Sequence, residues 1–305
     1  MIVVDPLLMA EAAFNDAASN VPENDNALYN IATAYTAGQK VMMTTNVHRN
    51  FECLIANTGE DPSTKPVNGS GDLYWLDLGS TNRWAMFDEV INNPTTNAAS
   101  IVFEVTPGVV INTIGLLNIV AATAQIVGTE PVGGEFYNET FDLISTENVF
   151  DGYSYFFGDF ITISDIVAED IPPFSTGEFT VTISGAGTVS LGEFTYGAEF
   201  DLGVTLIGAR PRIESFSTVT TNAFGNTSFV PRANRKLLTV DTAVDRYRIN
   251  DITRKMADLI DKPALWVADK DNSSLIVYGI LGDYAPEFGT EGSISFTNYE
   301  IKGLT

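Results

Sequence analysis

Along most of this chain apolar residues fall on alternate positions. Ile101–Val105 (IVFEV), Ala122–Val127 (ATAQIV), Phe179–Ile183 (FTVTI) and Thr188–Phe194 (TVSLGEF) are β-branched runs set off by Gly, Pro and Asn. A period of two puts one set of side chains on each face of a pleated strand, so residues 84–212 predict strands and no helix. Glycines 185, 187, 192, 197, 203 and 208 punctuate the second half of that stretch, as corners between strands require. Strands at such close spacing, with no helices between them, predict a sandwich.

Helical spacing shows in two places. Met9–Ala18 predicts a short helix that Asn20 and Pro22 stop, in an N-terminal arm too small for its own core. Near 243–260, Val244, Tyr247, Ile252, Met256 and Leu259 form an apolar stripe, Thr242 and Asp245 have capping-box spacing, and Pro263 lies just past the end. Before this helix, TNAFGNTSFV predicts a hairpin turning at Gly225-Asn226. After it, ALWVAD, LIVYGIL and SISFTNYEIKGL read as strands. The chain is expected to be mainly β with one main helix.

Residues 71–89, GDLYWLDLGSTNRWAMFDE, form the joint on which this organisation turns. Tyr74, Trp75, Leu76 and Leu78 suit a strand, Gly79, Ser80 and Asn82 a turn, and Trp84, Met86 and Phe87 a second apolar run. Both tryptophans read as core anchors sealing two modules together, and an exposed, sugar-stacking role is open to Trp75 alone. Upstream, Tyr29, Tyr35, Gly38, Val41, Phe51, Gly59 and Pro62 precede that tryptophan in a compact, turn-rich stretch.

The order aromatic, Y-x-x-G-x-x-V, aromatic strand, G-x-x-P and closing Trp resembles the small three-stranded modules of chitin-binding type, with Tyr29 standing where those modules commonly have Trp. The joint itself is similar to one in a family of tailed-bacteriophage tail-tip proteins, where a carbohydrate-binding-like module leads into a galactose-binding-like jelly roll. TPGVVINTIGLLNIVAATAQI and FTVTISGAGTVSLGEFTYGAEFDLGVTLIG resemble the opening and closing strands of such jelly rolls, and WVAD…VYGILGDY…SFTNYEIKGL resembles the same family's C-terminal domain. The resemblance implies an arm plus small β module over 1–80, a jelly-roll β-sandwich over 81–212, and a β-rich domain over 213–305 carrying the helix. It implies a virion protein of the tail tip or baseplate, made in the host cytoplasm, present in several copies around the tail axis and bound to other tail proteins. It also implies a part in host-surface glycan adsorption, with Tyr29, Tyr35 and Trp75 as the sugar-stacking residues. The alternative is a free carbohydrate-binding adhesin or an accessory module of a glycan-degrading enzyme.

Charge sharpens the division. Residues 1–83 carry 4 Lys/Arg and 10 Asp/Glu, residues 84–209 carry 17 acids and no Lys or Arg, and residues 210–305 carry 12 of each. The net −23 argues against nucleic acid as a partner. Against the acidic middle, Arg210, Arg212, Arg232, Arg235 and Lys236 make a basic patch expected to dock on an acidic surface, that of a neighbouring copy or of another tail protein. An aromatic insertion with Tyr153, Tyr155, Phe156 and Phe157 must pack on the sandwich or face a partner.

Catalytic chemistry is not legible. A single cysteine, Cys53, and a single histidine, His48, exclude a Cys/His zinc site and a disulfide framework. No serine has a G-x-S-x-G setting, and GSGD and VGGEF lack the lysine and helix of a phosphate loop. Glu147, Asp151 and Asp159 have no EF-hand spacing, so no metal or cofactor is assigned. His48 is expected at the surface, and Asp165, Glu169 and Asp170 as solvated connector charges. The apolar stretch Val109–Val127 is broken by Asn112, Thr113, Asn118 and Gln125 and predicts strands rather than a membrane span, and the first twenty residues lack the basic start of a signal peptide.

Overall fold

A computed structural model describes residues 1–145, 150–157, 161–288 and 293–304. Its first strand, β1 (Ile2–Pro6), is followed not by the expected helix but by two isolated 3₁₀ turns, Glu11–Ala13 and Asp16–Ala18. Tertiary pairing wins over local spacing here. Phe14, between the turns, is extended and bridges Val105, while Asn15 N–H donates to Glu104 O at 3.0 Å and Asn20 N–H to Val102 O at 3.1 Å. The arm thus lies along the sandwich with the Phe14 ring inserted in its core.

The small module holds β2 (Ala27–Leu28), β3 (Ala34–Tyr35), β4 (Lys40–Thr45), β5 (Val47–Cys53), β6 (Asn57–Thr58) and β7 (Trp75–Ser80). Three of them, β4, β5 and β7, form an antiparallel sheet, to which β2 adds one short parallel edge, and β3 pairs with β6 apart.

The middle of the chain supplies β8 (Thr95–Val105), β9 (Thr113–Leu117), β10 (Thr123–Glu130), β11 (Gly134–Asp142), β12 (Ile144–Ser145), the short helix α1 (Gly152–Phe157), β13 (Ile161–Thr162), β14 (Ile166–Ala168), β15 (Glu178–Leu191) and β16 (Glu193–Asp201). The C-terminal part supplies β17 (Val204–Thr205), β18 (Arg210–Ser215), β19 (Thr218–Thr221), β20 (Thr227–Val230), β21 (Asn234–Asp245), α2 (Ile249–Asp258), β22 (Ala264–Val267), β23 (Ile276–Glu287) and β24 (Ile294–Gly303).

Two sheets organise these strands. A four-stranded sheet runs β11-β10-β15-β8, and a ten-stranded one runs β14-β9-β16-β1-β22-β23-β24-β21-β17, with β18 also on β21. The five residues of β1 carry the large sheet from the middle of the chain to its end, Val3 lying opposite Phe200 on one side and Trp266 on the other. Gly197 lets β1 approach, since a Cβ there would sit 2.5 Å from Asp5 O. Alternation assigns the faces. Leu116, Phe194 and Tyr196 meet Phe103, Ile126 and Val181 of the smaller sheet to form the sandwich core. On the same face, Val3, Trp266 and Tyr299 are covered by Ile252, Met256 and Leu259 at α2. Val4, Leu117, Leu265 and Tyr278 cluster on the opposite face.

The molecule is mainly β with one main helix, as the pattern predicts, but that helix starts later than expected. Strand β21 runs on through Asp245, so Thr242 is no cap. Its buried hydroxyl donates to Leu202 O at 3.0 Å and lies 2.6 Å from Thr297 Oγ1, its neighbour across β24. Tyr247, placed on the apolar stripe by spacing, is exposed.

Candidate functional site

The three aromatics proposed for sugar stacking do come together. Tyr29 and Tyr35 stack with ring centroids 5.7 Å apart, and the Trp75 indole stands edge-on to both, at 5.9 and 5.2 Å. They meet as core, however. Trp75 is 3% exposed and Tyr35 8%, packed with Val41, Phe51 and Cys53. The Glu60 carbonyl accepts from Trp75 Nε1 at 2.9 Å and from the Tyr29 hydroxyl at 3.0 Å, and the Tyr35 hydroxyl is held by the backbone of Asn30. Burial, then the nearby Asp61, pushes the Tyr29 phenol up, which keeps it a donor. An exposed sugar-stacking role for Trp75 is therefore corrected: its ring is enclosed because so small a sheet needs its few large aromatics, Tyr35, Phe51 and Trp75, to fill its interior. Only Tyr29 reaches the surface in part.

His48, expected in solvent, is buried on the Trp84 indole. Its Nδ1 lies 2.9 Å from Glu23 Oε1, to which the Thr81 hydroxyl also donates at 2.7 Å. Burial alone would raise the Glu23 carboxyl, but hydrogen bonds with His48 and Thr81 hold it below the ordinary carboxylate value. The group joins the arm (Glu23), the small module (His48) and the joint (Thr81, Trp84), so both tryptophans anchor cores, as the joint's pattern suggests.

The basic patch is split. Arg235 pairs with Glu214 at 2.6 Å and stands over the Phe216 ring, 5.2 Å from its centre. Lys236 donates to the buried Asp165 and, at 3.1 Å, to Ser273 O. Both are engaged within the chain, so Lys236 docks on its own acidic middle rather than on a neighbour. Nor is Asp165 a solvated connector: it also accepts from Asn118 N–H at 2.9 Å and from the Ser164 hydroxyl at 2.8 Å. Glu169 pairs with Lys270 at 3.6 Å. Arg210, Arg212 and Arg232 are exposed and make no ion pair among the described residues.

Of the aromatic insertion, Tyr153 and Phe157 are exposed on α1, with ring centroids 5.0 Å apart. The side chains of Tyr155 and Phe156, and all of Glu147 and Asp159, lie outside the described residues. Among the described residues no group of acids, histidine and cysteine is placed to hold a metal ion, and no helix is long and apolar enough to cross a membrane. One buried acid went unnoticed in the sequence. Glu193 is 3% exposed beside Tyr278, and burial, then the charges of Asp88 and Glu89, raises its carboxyl to about 9. Its position in a strand pattern gave no sign, because the middle residue of the Gly192-Glu193-Phe194 corner reads equally well as facing out.

The surface feature that sequence reasoning missed is the far end of the hairpin. Every residue from Thr218 to Asn234 is exposed, including Val219, Phe224, Phe229 and Val230. The pattern TVTT…TSFV announced a hairpin but not that neither of its faces would be covered. No protein-family model, curated protein or solved structure matches this chain.

Proposed function

We propose that this protein is a structural component of a bacteriophage tail tip or baseplate, assembled in several copies and without catalytic activity of its own. The observation that carries this reading is how the binding-type module is used. Trp75, 3% exposed, and Tyr35 lie in the module's core with Tyr29 packed against them, and the module is fastened to the arm and the joint through Glu23, His48 and Trp84. A free glycan-binding module needs an open aromatic face on a freely held domain. A module serving as a spacer needs burial and rigid attachment.

The continuous ten-stranded sheet supports the same reading, since the first strand lies hydrogen-bonded between two parts of the chain and resists their independent motion. The phage assignment itself rests on the resemblance at 71–89 and at 263–304. Mass spectrometry of purified phage particles from the source culture is the test. The chain is expected among the tail proteins at several copies per particle, and particles that lack it would refute the proposal.

A further inference from the structure

Beyond the large sheet the chain extends into a two-stranded ribbon. β18 pairs with the first half of β21, Phe216 N–H then donates to Ala233 O at 3.1 Å, and β19 continues against β20. The base is stiffened by the Glu214–Arg235 pair and by the guanidinium over Phe216. The tip is fixed by Asn222, whose side-chain oxygen accepts from the N–H groups of Phe224 at 3.0 Å and Asn226 at 2.9 Å, with Gly225 at φ +80. What this frame presents is apolar: Phe224 is 90% exposed, Val219 62% and Phe229 61%.

A lone two-stranded hairpin is marginal in water, and Phe229 on its strand and Phe224 at its tip gain nothing from facing solvent. Such a ribbon is built to be covered. Charge says by what. Residues 207–236 carry five basic side chains and one acid, Glu214, whereas residues 84–209 carry 17 acids and no base. At the edge of that acidic part, a groove of about 660 Å³ runs along the edge strand β11 and the loop after β14, closed on its far side by Lys270, Asp271, Asn272 and Ser273. Glu139, Asp142 and Asp170 are exposed along it, and Phe141 and Ile163 are half-buried in its lining. Glu169, also in the lining, is raised by burial and by repulsion from Glu199 and Asp170 despite its pairing with Lys270, a local excess of negative charge that an arriving arginine relieves.

We propose that the ribbon of one copy lies across this groove of the next, Phe224 and Phe229 against its apolar lining and Arg210, Arg212 and Arg232 toward its acidic surroundings. The proposal rests on the multi-copy reading above and supplies its contact. The two surfaces are different patches of one chain, so the contact is head-to-tail and propagates into a ring or a filament.

The test is sedimentation of the full chain over a concentration series, for wild type, for Phe224→Ser with Phe229→Ser, and for Arg210→Glu, Arg212→Glu and Arg232→Glu together. All these positions are exposed, so circular dichroism should be unchanged. Wild type should self-associate, more tightly at low salt, and each variant should weaken association by at least about tenfold. Adding Glu139→Arg and Asp142→Arg to the charge-reversed ribbon should restore it. Wild type that assembles while the ribbon variants assemble equally well overturns the ribbon contact and leaves the multi-copy reading standing. Wild type that is monomeric throughout overturns both. Variants that weaken association without rescue by the groove changes show that the ribbon docks elsewhere, and overturn the groove assignment.

Discussion

His48 lies flat on the indole of Trp84, ring centroids 3.9 Å apart and planes inclined by 15°. The indole's surroundings include Phe14 and Phe87, at 5.3 and 5.5 Å, so one tryptophan joins a residue of β5, the arm and the sandwich core. Trp84→Ala removes all three contacts at once. We expect a loss of about 3–5 kcal/mol, the usual range for a buried Trp truncated to Ala, read as a lower urea midpoint. Glu23 adds a pH dependence. Its carboxyl is held below the ordinary value in the folded state, so its stabilisation is present above that ordinary value and lost as pH falls through the folded one. Glu23→Gln should flatten the acid limb of a stability–pH curve and leave the limb above neutrality unchanged.

Glu193 acts in the opposite direction. Its carboxyl is raised to about 9, so the folded protein takes up a proton that the unfolded chain releases near 4.5. The associated stability is complete below the unfolded value and is lost as pH rises toward 9. At pH 7 the cost is on the order of 3 kcal/mol. Glu193→Gln keeps an oxygen for the Glu89 N–H, which donates to it at 3.1 Å, and removes the titration. The variant should be more stable than wild type at pH 7 and above and indistinguishable near pH 4. A variant as sensitive to alkali as wild type would assign the pH dependence to other groups.

How much of this was legible depended on the range of the contacts involved. Alternation along 101–105, 122–127 and 179–183 announces strands because each face of a strand is decided by its own residues. The buried positions Ile252 and Met256 of α2, and Leu259 just past its end, were readable for the same reason. The missing helix at Met9–Ala18 was not, because Phe14 is fixed by Val105, far along the chain. Thr242 looks like a helix cap until Thr297 arrives across the sheet to claim its hydroxyl. The resemblance to a chitin-binding-type module grouped Tyr29, Tyr35 and Trp75, which do lie together, but their burial was invisible. An aromatic that stacks on sugar and one that fills a small core leave the same mark on a sequence.

Lys236 and Asp165 tie β21 to the middle of the chain. Asp165 has a side chain only 8% exposed, while Lys236 is 41% exposed. Lys236→Met leaves a buried carboxylate with neutral donors alone. Breaking a fully buried pair costs about 3–5 kcal/mol, and the exposure of the lysine reduces this to roughly 2 kcal/mol. Lys236→Met with Asp165→Asn should recover most of the loss, since the amide keeps an oxygen for Asn118 N–H. A double variant no better than the single one would mean that Lys236 contributes through its stem rather than its charge.

Trp75→Ala separates spacer from sugar site. The indole is enclosed by Tyr29 and Tyr35 and donates to Glu60 O, a carbonyl that also receives the Tyr29 hydroxyl. Removing it empties the centre of a module whose buried core is five residues: Tyr35, Val41, Phe51, Cys53 and Trp75. No neighbouring strand can collapse into such a space, so the cost should reach the upper part of the range for Trp→Ala, about 5 kcal/mol. Because the module is joined to the arm and the joint by the seam at Glu23, His48 and Trp84 and by polar contacts such as Asn46 N–H to Glu11 and Asn50 to Asp25, and shares no sheet with the sandwich, it should melt while the sandwich and α2 persist. Hydrogen exchange reads this directly: protection is lost over β4, β5 and β7 and retained over β15 and β21. Tyr29→Phe is the companion, removing one donor from Glu60 O while keeping the ring, and should cost about 1 kcal/mol. If Trp75→Ala instead keeps its protection and only binding to host cell-surface glycans falls, the indole is a sugar platform and the module is more than a spacer.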